Sequence, residues 1–599
     1  MNSDADPSRV ESGGTRSGTG LTLEPDPTPK GKRRRQQKLP FEQKELSPGG
    51  IRTLAKFLLS GQRFQEKRGP LSIIGLSCWF LIMEMGIKIG GHIDRVSGKE
   101  LSYREFVERY MKKNEPVVIT GLMDDWRACR DWVTEEGKPN LPFFSAHYGK
   151  SRVQVADCNT KEFTDQKRVE MSVSEFVHQW LNCEEGGHTD ISLSERNAVL
   201  YLKDWHFMKE YPEYTAYMTP LLFRDDWLNL YLDYYRMHKD PDTFKETNEV
   251  CCSDYRFVYM GAKGSWTPLH ADVFRSYSWS ANVCGKKQWL FLPPSQHHLV
   301  FDRNMKNSVY DIFNNVDNES FPGFKKAVWL ECTQEQNEII FVPSGWYHQV
   351  HNLVLMNFLL FSFSLLQVFT LIFILVSMIL QEDTISINHN WFNAYNLSWI
   401  WDLLHRDYNE AKEYIEDIRD ICDDFEGLCQ RNLAANTGMN FYDFFSFITC
   451  FAFANLILLH HLHDAEDLTC TQLSLVVSQL TLNLNSILKI ALSMESSEGL
   501  SYNSDIVLEA MLIDPKFLDM CSALDKTYKI TNGLETESYG TCRDKWGELD
   551  IIKLPSEVCT PRDLVNFINS AARNLESSAS VQVKSIFTFL DSESEVLKC

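Results

Sequence analysis

The chain has 599 residues, 44% of them hydrophobic, and a formal net charge of −21 at pH 7. This is long enough for about two to four domains with a sizeable core. The acidic balance argues against non-specific nucleic-acid binding, which needs a basic surface, and is compatible with a basic protein substrate.

Residues 1–84 are rich in Gly, Ser, Pro and charge and read as a disordered extension. Their basic cluster (Lys30, Lys32, Arg33, Arg34, Arg35, Lys38) reads either as a nuclear import signal or as a solvated charge run. The polar N-terminus lacks the early apolar region of a signal peptide. Leu71 to Met83 is apolar but too short to span a bilayer. Residues 85–250 form a mixed α/β part. Pro116 to Gly121 predicts a short buried strand ending in a turn. Helical spacing covers Ser172 to Leu181, through Val173, Phe176, Val177 and Trp180, and Phe223 to Tyr235, through Trp227, Leu230 and Tyr234.

In residues 251–397 β-branched and aromatic residues dominate. Strand blocks run from Tyr255 to Phe291, Glu338 to Val350 and Thr384 to Asn390, with Lys287 placed on a strand from Val283 to Phe291. Short strands broken by turns predict a sandwich or barrel. Residues 398–599 turn helical and then polar, with helices predicted over Ser398–Ile421, Asn440–His461 and Leu473–Ser493. The apolar stretch Phe444 to Leu459 suits either a dimer contact or packing against the barrel. The 16 cysteines form no Cys-x-x-Cys, which removes the main support for zinc-ribbon and thioredoxin-like modules. Reduced thiols in a cytoplasmic or nuclear protein are the expectation.

His270-Ala271-Asp272, followed far downstream by His348, is the ligand set of a non-haem Fe(II) site. Two imidazoles and one carboxylate take one face of the metal and leave the other open. On a strand, residues two apart point to the same side, so His270 and Asp272 can face one interior. A lone His-x-Asp recurs by chance, and a core histidine is its usual explanation; the distal His348 and Lys287 shift that balance. A lysine aimed into a barrel calls for an anion, because an unpaired buried ammonium is costly. A solvent-facing lysine beside Lys286 is the alternative.

Trp266-Thr-Pro-Leu-His270-Ala-Asp272, Trp279-Ser-Ala-Asn282-Val-Cys-Gly285-Lys-Lys287-Gln-Trp289 and Phe341-Val-Pro-Ser-Gly-Trp-Tyr-His348-Gln-Val-His-Asn352 together resemble the Jumonji-C oxygenases. Tyr201-Leu-Lys-Asp-Trp-His206, Tyr255-Arg-Phe-Val258 and Thr384-Ile-Ser-Ile-Asn388-His-Asn390-Trp391 resemble the subfamily of Jumonji-C domain-containing protein 4. The resemblance covers roughly residues 85–460. It implies an α+β chain with a double-stranded β-helix (cupin, jelly-roll) core, an N-terminal α/β region and a C-terminal helical region. It implies Fe(II) on His270, Asp272 and His348, O2 as oxidant, and 2-oxoglutarate with its far carboxylate on Lys287. Thr267, Asn388 and Asn390 match positions near the co-substrate, with Asn388 where several relatives have Thr. Tyr201 is a further pocket candidate, with core packing as its main expected role.

The subfamily runs from Val-His-Asn-Leu straight into an acidic residue. Here residues 354–381 intervene without a charge. Such a run reads first as a transmembrane helix. A spanning helix would put His348 and Asn388 on opposite sides of a membrane, and the flanks lack a Lys/Arg cluster. The preferred reading is a retained intron: Val354 has a GT-initial codon, Gln381 can end in AG, and Phe, Leu and Ser suit a pyrimidine-rich tract.

The expected function is an Fe(II)- and 2-oxoglutarate-dependent dioxygenase that hydroxylates a protein side chain. The resemblance implies lysyl hydroxylation of the translation termination factor. A histone arginine or lysine demethylase is the alternative, and a catalytically impaired or membrane-tethered cupin a second one. No direct sequence-specific nucleic-acid contact is expected.

Overall fold

The computed structural model describes residues 87–185, 198–237, 254–314, 316–352, 382–464, 471–496, 506–534 and 557–578. The basic extension and the apolar segment 354–381 lie outside the described residues.

Two sheets carry the fold. One has five strands in the order β1 (Lys88–His92), β11 (Val328–Gln334), β10 (Lys287–Leu292), β13 (Tyr347–Asn352) and β8 (Trp266–His270). The other has nine, in the order β2 (Asp94–Ser97), β3 (Val117–Thr120), β12 (Glu338–Val342), β9 (Tyr277–Cys284), β14 (Thr384–Trp391), β7 (Arg256–Gly261), β6 (Leu200–Trp205), β4 (Arg152–Glu162) and β5 (Asp165–Ser172). Strands from the N-terminal part thus extend the sheet of the core. Alternation on β9 and β14 separates two environments. Trp279, Ala281, Ile385 and Ile387 join an apolar core on the outer face, with Val117, Phe106 and Trp391. Ser278, Ser280, Asn282, Ser386, Asn388 and Asn390 occupy the inner face, with Ser280 opposite Asn388 and Asn282 opposite Ser386. This is a double-stranded, jelly-roll-like barrel with a polar lining.

The expected strand from Val283 to Phe291 is two strands. β9 stops at Cys284, Gly285 turns the chain at φ +75°, and β10 begins at Lys287. A Cβ on Gly285 would lie 2.2 Å from the Asp383 carbonyl oxygen, so this turn needs glycine for space as well as conformation. The block Glu338–Val350 likewise divides, at a turn around Gly345 with φ +71°.

Helices flank the sheets. α1 (Leu141–Tyr148) and α2 (Val173–Glu185) pack on the N-terminal side, and α3 (Trp227–Tyr234) backs β14, where the Asn229 amide donates to the Asn390 carbonyl at 3.0 Å. The predicted helix over Phe223–Tyr235 starts late because Asp226 caps it, accepting from the Asn229 N–H at 2.9 Å. The C-terminal helices are α4 (Leu397–Tyr414), α5 (Phe425–Thr437), α6 (Phe441–Asp464), α7 (Thr471–Glu495), α8 (Pro515–Thr531) and α9 (Pro561–Ser578). Two of them are long and apolar enough to cross a membrane by length and composition. One of these, Phe441–Leu462, is 89% buried within the protein. A helix apolar all round is the core helix of a bundle, and packing rather than an exposed patch accounts for Phe444 to Leu459.

Candidate metal and co-substrate site

β8 and β13 pair antiparallel with His270 directly opposite His348, and the two rings lie 4.3 Å apart. The next pair is Thr267 with Val350, so three steps on β8 match two on β13. This bulge, at Pro268 with its missing N–H, puts Thr267 and His270 on the same inner face despite their odd spacing. Asp272 is not on the strand, as the two-residue spacing had implied. It lies just past the end of β8 (φ −58°, ψ 153°), directly ahead of a short 3-10 turn through Phe274 and Arg275, both with positive φ.

One candidate ligand atom from each of His270, Asp272 and His348 lies within 4.8 Å of the others. The hydrogen bonds prepare these atoms for a cation. His270 Nδ1 is 2.8 Å from the Pro268 carbonyl and His348 Nδ1 is 3.1 Å from the Trp346 carbonyl. Each Nδ1 therefore carries the proton, and each Nε2 lone pair is left free. Ser278 Oγ donates to Asp272 Oδ2 at 2.7 Å and leaves the other oxygen available. Burial, then the neighbouring His348, pushes His270 down to about 4, so the imidazole is neutral and able to ligate near pH 7. This donor set fits Fe(II). Buried His389, on the outer face of β14, has a different environment: its Nε2 meets the Tyr217 hydroxyl at 2.5 Å and its ring packs on Trp279. It is a core histidine.

His348 is positioned by the turn before it. Trp346 Nε1 donates to the Asn114 carbonyl at 2.7 Å, and Asn114 and Asn396 donate to the backbone and hydroxyl oxygens of Ser344 at 2.8 and 3.0 Å. A Cβ on Gly345 would meet Trp399 of α4 at 2.8 Å.

Lys287 reaches from the five-stranded sheet across the barrel to the nine-stranded one. Its ammonium donates to Ser386 Oγ at 2.6 Å and to the Tyr201 hydroxyl at 3.4 Å. It is 2% exposed, and burial, then Lys203, pushes it down to about 7. Both partners are neutral. Ser280 Oγ, Asn282 Oδ1 and Asn352 Oδ1 are buried nearby on the facing strands without a hydrogen-bond partner. A buried ammonium held by neutral partners only is an anion site, the unpaired Ser280 hydroxyl is free to donate beside it, and a carboxylate of 2-oxoglutarate fits there. Trp289, Phe291 and Val350 supply an apolar wall beside it.

Thr267 faces the interior. Asn388 donates to Ser386 Oγ at 3.1 Å, beside Lys287. Asn390 stands on the same inner face opposite Ser278, its amide on Ser276 Oγ at 3.3 Å. Tyr201 was expected mainly to pack, yet its hydroxyl touches Lys287. Ser386, Ser278 and Lys203 were missed. Strand alternation could have found the first and last, two residues from Asn388 and Tyr201 respectively.

A family model described as a cupin-like domain matches residues 103–396. The chain is 56% identical over 488 residues to "Arginine-specific demethylase JMJ20" of Arabidopsis thaliana, covering 81% of this chain and 97% of that protein. It is 39% identical to "2-oxoglutarate and iron-dependent oxygenase JMJD4" of Danio rerio, over 59% of this chain and 73% of that one. For the Homo sapiens protein of the same description the values are 34%, 61% and 77%.

Proposed function

We propose, given that the chain belongs to the cupin-like JmjC family of 2-oxoglutarate and iron-dependent oxygenases, that it hydroxylates a lysine side chain of a protein, the translation termination factor being the candidate substrate. The enzyme is a 2-oxoglutarate- and Fe(II)-dependent dioxygenase of the protein hydroxylase and demethylase class. The observation that carries this reading is the alignment inside one barrel of a His-Asp-His donor set and the buried Lys287 ammonium.

His270, Asp272 and His348 would hold the metal. Bound there, Fe(II) supplies dioxygen activation coupled to oxidative decarboxylation of 2-oxoglutarate to succinate and CO2. The protein's own residues orient and exclude. The Pro268 and Trp346 carbonyls fix the imidazole tautomers, Ser278 holds the carboxylate, and Lys287 neutralises and positions the far end of the co-substrate. Trp289, Phe291 and Val350 keep water from that end.

A second reading is favoured by the 56% identity to a protein described as an arginine-specific demethylase. Hydroxylation of an N-methyl carbon gives a hemiaminal that releases formaldehyde, so one site supports both outcomes. The test incubates the protein with Fe(II), 2-oxoglutarate and either termination factor or methylated histone peptide, followed by intact-mass measurement. Gain of one oxygen on the termination factor supports hydroxylation. Loss of a methylene with formaldehyde from the peptide supports the second reading. Succinate formation with neither product rejects both substrates. A site of action in the cytoplasm, the nucleus or both accompanies this proposal.

A further inference from the structure

Two buried lysines share one tyrosine. Lys287 meets the Tyr201 hydroxyl, and the ammonium of Lys203 stands over the Tyr201 ring, 5.2 Å from its centre. Lys203 follows Tyr201 by two residues on β6, so both side chains leave the same face of the strand. Tyr201 is 2% exposed and Lys203 3%. The rest of the ring is enclosed as well. Tyr259 packs against it at 5.9 Å in a T-shaped contact, and a Cβ on Gly261 would lie 2.7 Å from it. The Lys203 ammonium donates to Gln166 Oε1 at 2.9 Å. The Gln166 amide donates in turn to the Trp266 carbonyl at 3.0 Å, one residue ahead of Thr267 on β8. Among the described residues, no carboxylate reaches ion-pair distance of Lys203. The nearby acids Asp165 and Asp204 are both bonded by Arg168, and Asp204 also accepts from the Tyr259 hydroxyl.

An ammonium held by one neutral amide and one ring is an expensive way to fill space, because an apolar side chain of the same length would pack there without the cost of burying a charge. What the charge supplies is a direction. A cation over an aromatic face, away from water, is attracted to that face and resists tilting of the ring. The tilt of the Tyr201 ring decides where its hydroxyl sits beside Lys287. We propose that Lys203 is a positioning residue for the far-carboxylate end of the co-substrate pocket, acting through the Tyr201 ring without touching the co-substrate. This rests on the reading that Lys287 meets the far carboxylate of 2-oxoglutarate. Through Gln166 the same ammonium also ties β6 to the head of β8, so the hydroxyl is set relative to both walls of the barrel.

The test is calorimetric binding of 2-oxoglutarate and of 2-oxovalerate, which keeps the keto acid and lacks the far carboxylate, to the metal-loaded full chain held anaerobically. Lys203→Met is expected to weaken 2-oxoglutarate by about threefold to tenfold and to leave 2-oxovalerate as it was. Tyr201→Phe is expected to do the same. The double variant is expected to bind 2-oxoglutarate no more weakly than Tyr201→Phe alone, because Lys203 acts through the hydroxyl that is already gone. Lys203→Arg, which keeps a cation over the ring, is expected to recover part of the loss. Unchanged binding of 2-oxoglutarate to Lys203→Met overturns the proposal. So does an equal loss of both ligands, which would mark a general disturbance of the barrel, and so do additive losses in the double variant, which would separate Lys203 from Tyr201. Should Lys203→Met fail to fold, Lys203→Gln, which retains a donor without charge, is measured in its place. Unchanged 2-oxoglutarate binding to Lys287→Met would instead sink the co-substrate reading itself.

Discussion

The barrel and the C-terminal helices are both deeply buried, but they fill their interiors in opposite ways. Between α6 and its neighbours stand Phe444, Phe445, Phe447, Ile448 and Phe451, all fully buried. At the polar centre of that bundle, Asn483 donates to Asn455 Oδ1 and to the Tyr528 hydroxyl, both at 2.8 Å. The barrel interior instead holds the Lys287 ammonium on neutral partners and unsatisfied oxygens on Ser280, Asn282 and Asn352. The bundle pairs its central amides internally, with Thr449 Oγ1 on α6 left unpaired. The barrel is built to be completed by a ligand, and it carries a local cost in the empty state that the rest of the molecule offsets.

The comparison breaks first at the metal. His270→Ala should abolish 2-oxoglutarate-coupled succinate formation, a loss of at least about 100-fold because even outer-shell partners cost about 10–100-fold. Thermal stability of the metal-free protein should hardly change; persisting turnover would show that the assigned donors are wrong. Phe451→Ala should do the reverse. Phe451 stacks on Trp227 at 4.5 Å, and its removal should cost about 3–5 kcal/mol in denaturant unfolding while the turnover of folded molecules stays as it was.

Lys287→Met separates stability from function within one residue. The KM for 2-oxoglutarate should rise about 10–100-fold, while the melting temperature holds or rises because a buried ammonium is gone. In the wild type, burial has pushed Lys287 down to about 7 from its ordinary value. A bound carboxylate favours the charged form, so binding above about pH 7 must take up a proton. Affinity for 2-oxoglutarate should then fall with rising pH, by up to about tenfold per unit. Calorimetry in buffers of different ionisation enthalpy reports that proton directly.

The smallest effect is expected from deleting residues 354–381. The described flanks return to one turn: the Asn352 carbonyl accepts from the Gly264 N–H at 3.3 Å, and Asp383 Oδ1 accepts from the adjacent Lys263 N–H at 2.8 Å. Joining Leu353 to Glu382 shortens a connection whose ends are already held together, so stability should change by about 1 kcal/mol or less. Loss of folding on deletion would make the segment part of the framework.

What could be read from sequence was the chemistry that residue type declares. His270, Asp272, His348 and Lys287 are informative as a set, and the family resemblance added Asn388. The missed residues depended on pairings between distant strands. Nothing in Tyr201 says that Lys287 will cross from the other sheet to its hydroxyl, and nothing in Thr267 says that a bulge will turn it to the side of His270. Asn390, placed near the co-substrate by its motif, stands on the same lining opposite Ser278, with its amide on Ser276. The C-terminal helices were legible from their spacing because an apolar interior needs only pattern, whereas a ligand site needs register.

The turn ahead of His348 sets how small this enzyme can be made. Ser344 and Gly345 are held by Asn396 and Trp399, residues that lie beyond the last strand of the barrel. A fragment ending at Trp391 would keep every donor atom of the metal site and lose the clamp that aims one of them. The smallest working unit therefore runs into the helices, and the border of the chemistry falls past the border of the sheet.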